Sequence, residues 1–364
     1  MILLGIDLII KNNDFNVIDV NANPSGLAEA DALREILKNN STDKVAKRLI
    51  CEAQGKIVLI ILPDWCKIEN GFTDKYLKQK NDNIDDMLNS SLHDVNLVAK
   101  AIREYGVCCF ISNYESIMMH KDALFSPDKI GIIWNRGHHY FENLGYLESN
   151  DIRMRALCRS KLELSKRLNK SWMVPLNSLE NKKDNVQKVK NEEWIIIKPD
   201  RGYGSYGIKR ISRKEFIPHL QSFSTSSLRY GWQPWIPPST FQSENLMDYF
   251  YDVRAFILDG DLIGLFARKC VIPANSKLES PLVWLTTLGS NLKITIEDSK
   301  TKHTPTLSQY NICQLKEICS DLCDAIRKAY ELENKKKVAQ EYYDKAILLN
   351  IPDGADYNLV EYDL

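Results

Sequence analysis

The chain opens on two apolar runs, "LLGIDLII" and "FNVIDVN", with the polar "KNND" between them, a pattern that predicts a β-hairpin. Within the second run Asp19 and Asn21 lie two apart. In a regular strand they project side by side from one face, with Val17 on that face and Ile18 and Val20 packed behind. Two oxygen ligands so placed look like half of a site for a hard metal ion. Next, "LAEADALREILKN" carries apolar residues at helical spacing. "KIVLIIL" is a short continuous apolar strand, and "DVNLVAKAIREYG" predicts an amphipathic helix that stops at a glycine. "VCCFIS" and "KIGIIWNR" are further short strands. Strands alternating with helices between about residues 55 and 136 predict a small α/β layer with parallel pairing.

The second half begins with "DIRMRALCRSKLELSKRLNK", read as one basic helix, and "ENKKDNVQKVKNEE", read as an exposed helix or loop. "EWIIIKPDRGYGSYGIKRI" then gives strand, glycine-rich loop and strand. "DVRAFILDGDLIGLFARKC" predicts two strands around the Asp259-Gly260 turn, and "LSQYNICQLKEICSDLCDAIRKAYELEN" a long amphipathic helix. A charged segment and a last short strand, "YNLVEYDL", end the pattern. With no internal repeat and no long linker, the parts are expected to form one compact unit.

Length and composition narrow the function classes. At 364 residues the chain suits two or three packed subdomains. A formal net charge of +0 argues against nucleic acid or an anionic membrane as partner. No apolar run reaches the roughly 20 residues that span a bilayer, and the apolar start lacks a basic region and a cleavage site. An odd count of 9 cysteines without paired CxxC spacing points to free thiols in a reducing, cytoplasmic setting. Cys319 and Cys323, four apart on a predicted helix near Cys313, read as small buried hydrophobes.

Two segments carry candidate chemistry. Lys198 ends the Ile-Ile-Ile strand and faces a loop holding Gly202, Gly204, Ser205 and Gly207. Glycines let backbone N–H groups approach phosphate oxygens, and the ammonium neutralises their charge. A strand follows instead of a helix, and no GKS or GKT ending is present, which argues against a P-loop; a tight β-hairpin is the structural alternative. Arg254 and Arg268 lie on neighbouring predicted strands, where they can hold a transferring phosphoryl group or a carboxylate. Taken alone, that pair reads equally as two solvated arginines on a sheet face. His138 and His139, beside Arg136 in a predicted loop after the "IIWN" strand, read as surface histidines, with lining a substrate entrance as the alternative. Glu361 and Asp363 in "LVEYDL" offer a rival metal pair but lack a following Pro-Gly turn, and read as part of a structural edge strand.

Together these segments resemble the ATP-grasp superfamily from Met1 to about Arg327. The lysine–proline–glycine hairpin is similar to its phosphate-covering loop, and Lys161 to its earlier nucleotide-binding lysine. The "WQPWIPP" segment resembles the link whose backbone meets adenine, a role falling here on Gln233, Pro234, Trp235 and Ile236. The DVR and AR arginines, Arg254 and Arg268, resemble residues that contact phosphate or substrate. "GIDLIIKNNDFNVIDVNANPSG" resembles the metal-binding end, with Asp7, Asp19 and Asn21 as ligands. In the ordinary order the metal strands come last. Here they come first, as in the circularly permuted branch, where such a segment precedes the α/β layer and a "WNR"-type strand. Asp19 stands where family members usually carry Glu, and the tail beyond Asn334 has no family counterpart.

The resemblance implies an α/β fold, α+β by layers, that clamps ATP between antiparallel sheets. Its expected divisions are 1–45 (metal-binding hairpin and helix, joined to the last subdomain), 46–150 (α/β layer), 151–232 (lid with the glycine-rich loop) and 233–364 (catalytic subdomain). It implies an ADP-forming ligase, using ATP and Mg²⁺, that joins a small-molecule or peptide carboxylate to an amine, with a homodimer as a candidate assembly. A kinase acting on another acceptor and a nucleotide-binding partner protein without turnover are the alternatives.

Overall fold

The structure is a computed structural model that describes residues 1–37, 40–62, 83–137, 140–201, 207–222, 229–278, 280–297 and 303–339. Asn12 and Asn13 both take positive φ, 52° and 67°, the conformation that turns a two-residue hairpin in the natural strand twist. They join β1 (Leu3–Lys11) to β2 (Asp14–Asn21). The following helix, α1 (Leu27–Ala32), is shorter than its periodicity predicts. Its Asp31 side chain is spent on the start of α2 (Ser41–Ala53), where it accepts from the Ser41 and Thr42 amides and the Thr42 hydroxyl. Then come β3 (Ile57–Ile61), α3 (Asn83–Glu104), β4 (Cys109–Ser112), α4 (Tyr114–His120) and β5 (Ile130–Asn135). The three strands pair in parallel in the order β4-β3-β5, the α/β layer expected from the sequence.

The predicted single basic helix is two, α5 (Ile152–Arg159) and α6 (Lys161–Leu168). Ser160 between them is extended and caps α6 through its side chain, which breaks the run and makes Lys161 the first helical residue. Next are β6 (Asn177–Ser178), α7 (Lys182–Lys188), β7 (Trp194–Pro199), β8 (Lys209–Ser212), α8 (Arg213–Ser222) and β9 (Tyr230–Pro234). Their antiparallel sheet, in the order β6-β9-β7-β8, buries Ile195, Ile197 and Trp232 against Leu179, Phe216 and Leu220. Strand alternation therefore turns Ile196, Lys198, Gly231 and Gln233 to the other face.

The chain continues through β10 (Thr240–Gln242), β11 (Asp248–Leu258), β12 (Asp261–Lys269), α9 (Pro281–Trp284), β13 (Asn291–Leu292) and α10 (Gln309–Glu331). The largest sheet runs β13-β12-β11-β1-β2, with β10 on β11, so the N-terminal hairpin completes the sheet that carries Arg254 and Arg268. The Ile2 amide also donates to Asp259 Oδ1 at 2.7 Å. One face of this sheet packs Ile6, Leu8, Val20 and Val253 against Leu315, Cys319 and Leu322 of α10. At one end of the other face, Leu3, Phe256 and Phe266 join Val98, Ile60 and Trp134 of the α/β layer in a shared core. Cys319 and Cys323 are buried free thiols, as read from their spacing. No helix among the described residues is long and apolar enough to cross a membrane.

Candidate functional site

The pairing register lays charged residues across the open end of the large sheet. Asp19 on β2 faces Asp7 on β1, and Asp7 faces Arg254 on β11. Two residues away on the same face, Asp252 of β11 pairs with Arg268 of β12. Arg254 grips Asp7 with two hydrogen bonds, Nε to Oδ1 at 2.8 Å and Nη2 to Oδ2 at 2.9 Å. Arg268 reaches the same carboxylate at 3.2 Å and makes its own bidentate pair with Asp252. The Thr286 hydroxyl donates to Asp252 Oδ2 at 2.7 Å and fixes that carboxylate in turn. Burial alone would raise the Asp7 pKa, but Arg254 and then Arg268 outweigh it and hold the carboxyl well below its usual range. Arg268 is 5% exposed, so the reading of two solvated arginines does not apply to it.

The second strand departs from strict alternation. Asp7 pairs with Asp19 but Leu8 pairs with Val17, leaving Ile18 as the extra residue of a β-bulge. Val17 therefore turns into the core with Val20 and does not share the face of Asp19, contrary to the regular-strand expectation. The bulge takes the Ile18 carbonyl out of the ladder, and it accepts from Lys198 Nζ at 2.8 Å. Beside it, Lys161 Nζ lies 3.1 Å from Asp19 Oδ1. Ile18, Asp19, Lys161, Ser165, Leu176 and Lys198 line one small pocket where α6, β2 and β7 meet.

Lys198 is 6% exposed, and burial pushes its ammonium down to about 8, with Asp19 opposing the shift and Lys161 adding to it. The folded-state value lies below the unfolded 10.5, so between about pH 8 and 10.5 the unfolded chain holds more protons and stability rises with pH. At 1.36 kcal/mol per unit, keeping Lys198 charged at pH 7 costs up to about 3 kcal/mol, and its hydrogen bond returns about 1 kcal/mol. Lys198→Met is thus expected to stabilise the ligand-free protein at pH 7 by roughly 1–2 kcal/mol, the difference of those terms. The gain should vanish by pH 10.5. Urea unfolding of both proteins at pH 7 and pH 10.5 measures it, and a variant less stable than wild type at pH 7 contradicts the argument.

Gln233 lies on the same face of the smaller sheet, opposite Ile196, as Lys198 lies opposite Gly231. Its Oε1 is buried without a hydrogen-bond partner, an acceptor suited to an exocyclic amine of a base. Pro234 ends β9, and the Trp235 amide donates to the Trp194 carbonyl at 3.1 Å. Trp235 also stacks on Arg210, whose guanidinium lies 4.8, 4.6 and 5.4 Å from the rings of Trp194, Trp235 and Trp284. Ile236 follows on the same segment, and Gly207 has φ +71° where the chain enters β8. Gly202, Gly204, Ser205, His138, His139, Glu361 and Asp363 lie outside the described residues.

Among the described residues no group of three His, Cys, Asp or Glu side chains forms a metal cluster. The candidate ligands are two carboxylates, Asp7 and Asp19, with Asn21 two residues further on the same strand. That donor set fits Mg²⁺, which takes one or two carboxylates and completes its shell with water and phosphate oxygens. The carboxylates are neutralised by Arg254, Arg268 and Lys161.

Several supporting residues were not anticipated. The turn after Asn21 is held by the α/β layer. Asp94 accepts from the Gly26 and Ala28 amides at 2.9 and 2.8 Å, and Arg136 donates to the Pro24 carbonyl at 2.6 Å and to Ser25 Oγ at 3.2 Å. Burial raises Asp94 to about 6 against the pull of Arg136 and those amides. Its signal in the sequence is a carboxylate on the apolar stripe of a helix, one turn before Val98 and two before Ile102. For Asp252 it is an acid two positions before Arg254 on a strand, hence on the same face.

No protein-family model matches the sequence, and no curated protein is similar to it. Solved structures are similar to the fold. A gamma-glutamylcysteine synthetase-like protein from Methylobacillus flagellatus superposes with a TM-score of 0.52 at 10% identity, over 91% of this chain and 89% of its own. The D-cycloserine synthetase DcsG gives 0.41 at 10% identity, over 76% and 82% of the two chains. The ATP-grasp ligase PsnB, complexed with a minimal precursor, gives 0.40 at 12% identity, over 76% and 83%. At these identities the likeness concerns architecture alone. That architecture is the ATP-grasp fold.

Proposed function

We propose that this ATP-grasp chain is an ATP-dependent, ADP-forming ligase that joins a carboxylate to an amine. The observation that carries the reading is the gathering of Arg254 and Arg268 with Asp7 and Asp19 on one sheet face, opposite Lys161 and Lys198. Lys161 and Lys198 bind phosphate oxygens, and Gln233 with the segment to Ile236 holds the base. Mg²⁺, held by Asp7, Asp19 and Asn21, would supply charge neutralisation to the phosphates. Arg254 and Arg268 orient the substrate carboxylate, held in place by Asp7, Asp252 and Thr286, so that little reorganisation accompanies the reaction. A carboxylate oxygen attacks the γ-phosphorus, the bond to the β,γ-bridging oxygen breaks, and ADP leaves. The amine nitrogen then attacks the acyl carbon, phosphate departs, and the ammonium proton passes to solvent. The metal strands precede the α/β layer in the sequence, which supports reading the chain as a circular permutation. A soluble substrate, with no part for nucleic acid or membrane, fits this reading.

A screen of amino acids, short peptides and polyamines, following ADP and phosphate release with mass spectrometry of products, tests it. With the carboxylate present and its amine omitted, hydroxylamine should trap a hydroxamate from the acyl phosphate. An alcohol phosphorylated without release of free phosphate would make the protein a kinase. ATP consumption at background with every candidate pair would make it a binding protein.

A further inference from the structure

The two lysines assigned to nucleotide phosphate come from different elements, Lys161 from the start of α6 and Lys198 from the end of β7. Asp200, two residues beyond Lys198 and 2% exposed, follows β7 directly and hydrogen-bonds to the start of α6. The first four amides of an α-helix have no partner within it. In α6 all four are accounted for. The Lys161 amide donates to the Asp200 carbonyl at 3.0 Å, and the Leu162 amide to Asp200 Oδ1 at 2.8 Å. The Glu163 amide donates to Ser160 Oγ at 3.3 Å, and the amide of Ser160 itself, the cap residue, turns back to the Leu157 carbonyl at 3.2 Å. The Ser160 hydroxyl itself donates to the Asp200 carboxylate, 2.9 and 3.0 Å from its two oxygens. From the other side the Asp200 amide is tied to the Arg229 carbonyl at 2.8 Å, at the entry to β9.

We infer that Asp200 is a positioning residue that registers the Lys161 helix against the Lys198 strand, so that both ammonium groups meet one nucleotide. A cap taken from the helix's own flank would satisfy the same amides without linking the two elements. Here main chain and side chain of one strand-end residue do both. The Asp200 carboxylate has a long ion pair, Oδ2 to Nη1 of the half-exposed Arg229 at 4.0 Å, which contributes little at that exposure. Its charge would repel phosphate, and its short hydrogen bonds go to Ser160 and the Leu162 amide. The inference rests on the nucleotide reading of the two lysines.

The test compares Asp200→Ala with Asp200→Asn, which keeps an oxygen for the Leu162 amide but removes the charge. Binding of the non-hydrolysable analogue AMP-PNP with Mg²⁺ is followed by calorimetry. Amide exchange at Leu162 and Glu163 is followed without ligand. A misplaced binding group costs tenfold or more, so Asp200→Ala should weaken AMP-PNP binding at least ~tenfold and speed exchange at Leu162. Asp200→Asn should restore affinity to within about threefold of wild type and slow the exchange again, as a cap retaining its acceptor does. If the carboxylate acted only by charge, both variants would bind more tightly, and that result overturns the inference. Wild-type affinity in Asp200→Ala overturns it as well while leaving the nucleotide reading intact. A wild-type protein that binds no AMP-PNP, with Leu162 protected from exchange, overturns the reading and the inference with it. Should Asp200→Ala not fold, Ser160→Ala carries the test. It removes the hydroxyl bridge to Asp200 together with the cap on the Glu163 amide. Unchanged affinity, or a loss with faster exchange at Glu163 alone, counts against the inference, whereas a loss with faster exchange at Leu162 supports it.

Discussion

A chain lacking residues 1–26 is expected not to fold. The segment supplies one edge strand of the largest sheet and the interior strand beside it, with β1 pairing β11 on one side and β2 on the other. Leu3, Leu4, Ile6, Leu8, Val17 and Val20 are fully buried, and Phe15 is nearly so. At about 1.5–3 kcal/mol for each such side chain, their loss removes roughly 10–20 kcal/mol of burial. That equals or exceeds the whole stability of an ordinary domain, about 5–15 kcal/mol. The truncation also strips the partner of β11 and leaves a long apolar sheet edge. Asp7 leaves with the segment, so Arg254 loses its bidentate partner and the buried Arg268 one of its two carboxylates. Circular dichroism and a melting curve of the truncated protein check the expectation. A cooperative melt with retained Mg²⁺·ATP binding would show the hairpin to be an appendage.

Asp19→Asn, in contrast, is expected to stay folded and lose its chemistry. The Asp19 side chain is 23% exposed and Lys161 12%, and an asparagine keeps an oxygen for the Lys161 ammonium. The loss is that of one charge-assisted hydrogen bond, about 1–3 kcal/mol, below the stability of an ordinary domain. The change removes one of the two carboxylates available to a divalent cation and leaves shape and size nearly unaltered. ATP turnover supported by Mg²⁺ should fall at least about a hundredfold. The decisive comparison is turnover against melting temperature in the same preparation. Wild-type turnover with an unchanged melt would remove Asp19 from the site and direct attention to Glu361 and Asp363.

The sequence made some of this legible because periodicity and turn chemistry are local. "KNND" between apolar runs and Asp259-Gly260 between two more mark hairpins, and both are present. The short Ile- and Val-rich runs separated by helical patterns give the parallel layer. The bulge at Ile18 was not legible, because its cause is a partner: Lys198 needs a carbonyl, and that carbonyl is 180 positions away. The break at Ser160 has the same character. "CRSKLELSKRL" reads as continuous helix until Asp200 is known to occupy the first turn of α6. The arginine pair was visible as two basic residues on neighbouring strands, but Thr286 and Asp252, which fix Arg268, come together only in the folded sheet. Local patterns announced elements; the pairing of buried charges belonged to tertiary structure.

The bond from the Ile2 amide to Asp259, 257 positions later, bears on how the protein is made. Ribosomes add about 5–20 residues per second, so the hairpin waits on the order of ten seconds or more before its partner strand has been synthesised. Through that interval the nascent chain carries a two-stranded hairpin with no third strand, a unit only marginally stable in water. The α/β layer and the smaller antiparallel sheet are both translated before β11, so each can condense before the large sheet closes, with Val17 of the hairpin already able to bond Trp172 and Val174. Refolding from denaturant removes that order, since every segment is present at once. Synthesis therefore imposes an assembly sequence that dilution does not, with closure of the large sheet as its final, long-range step.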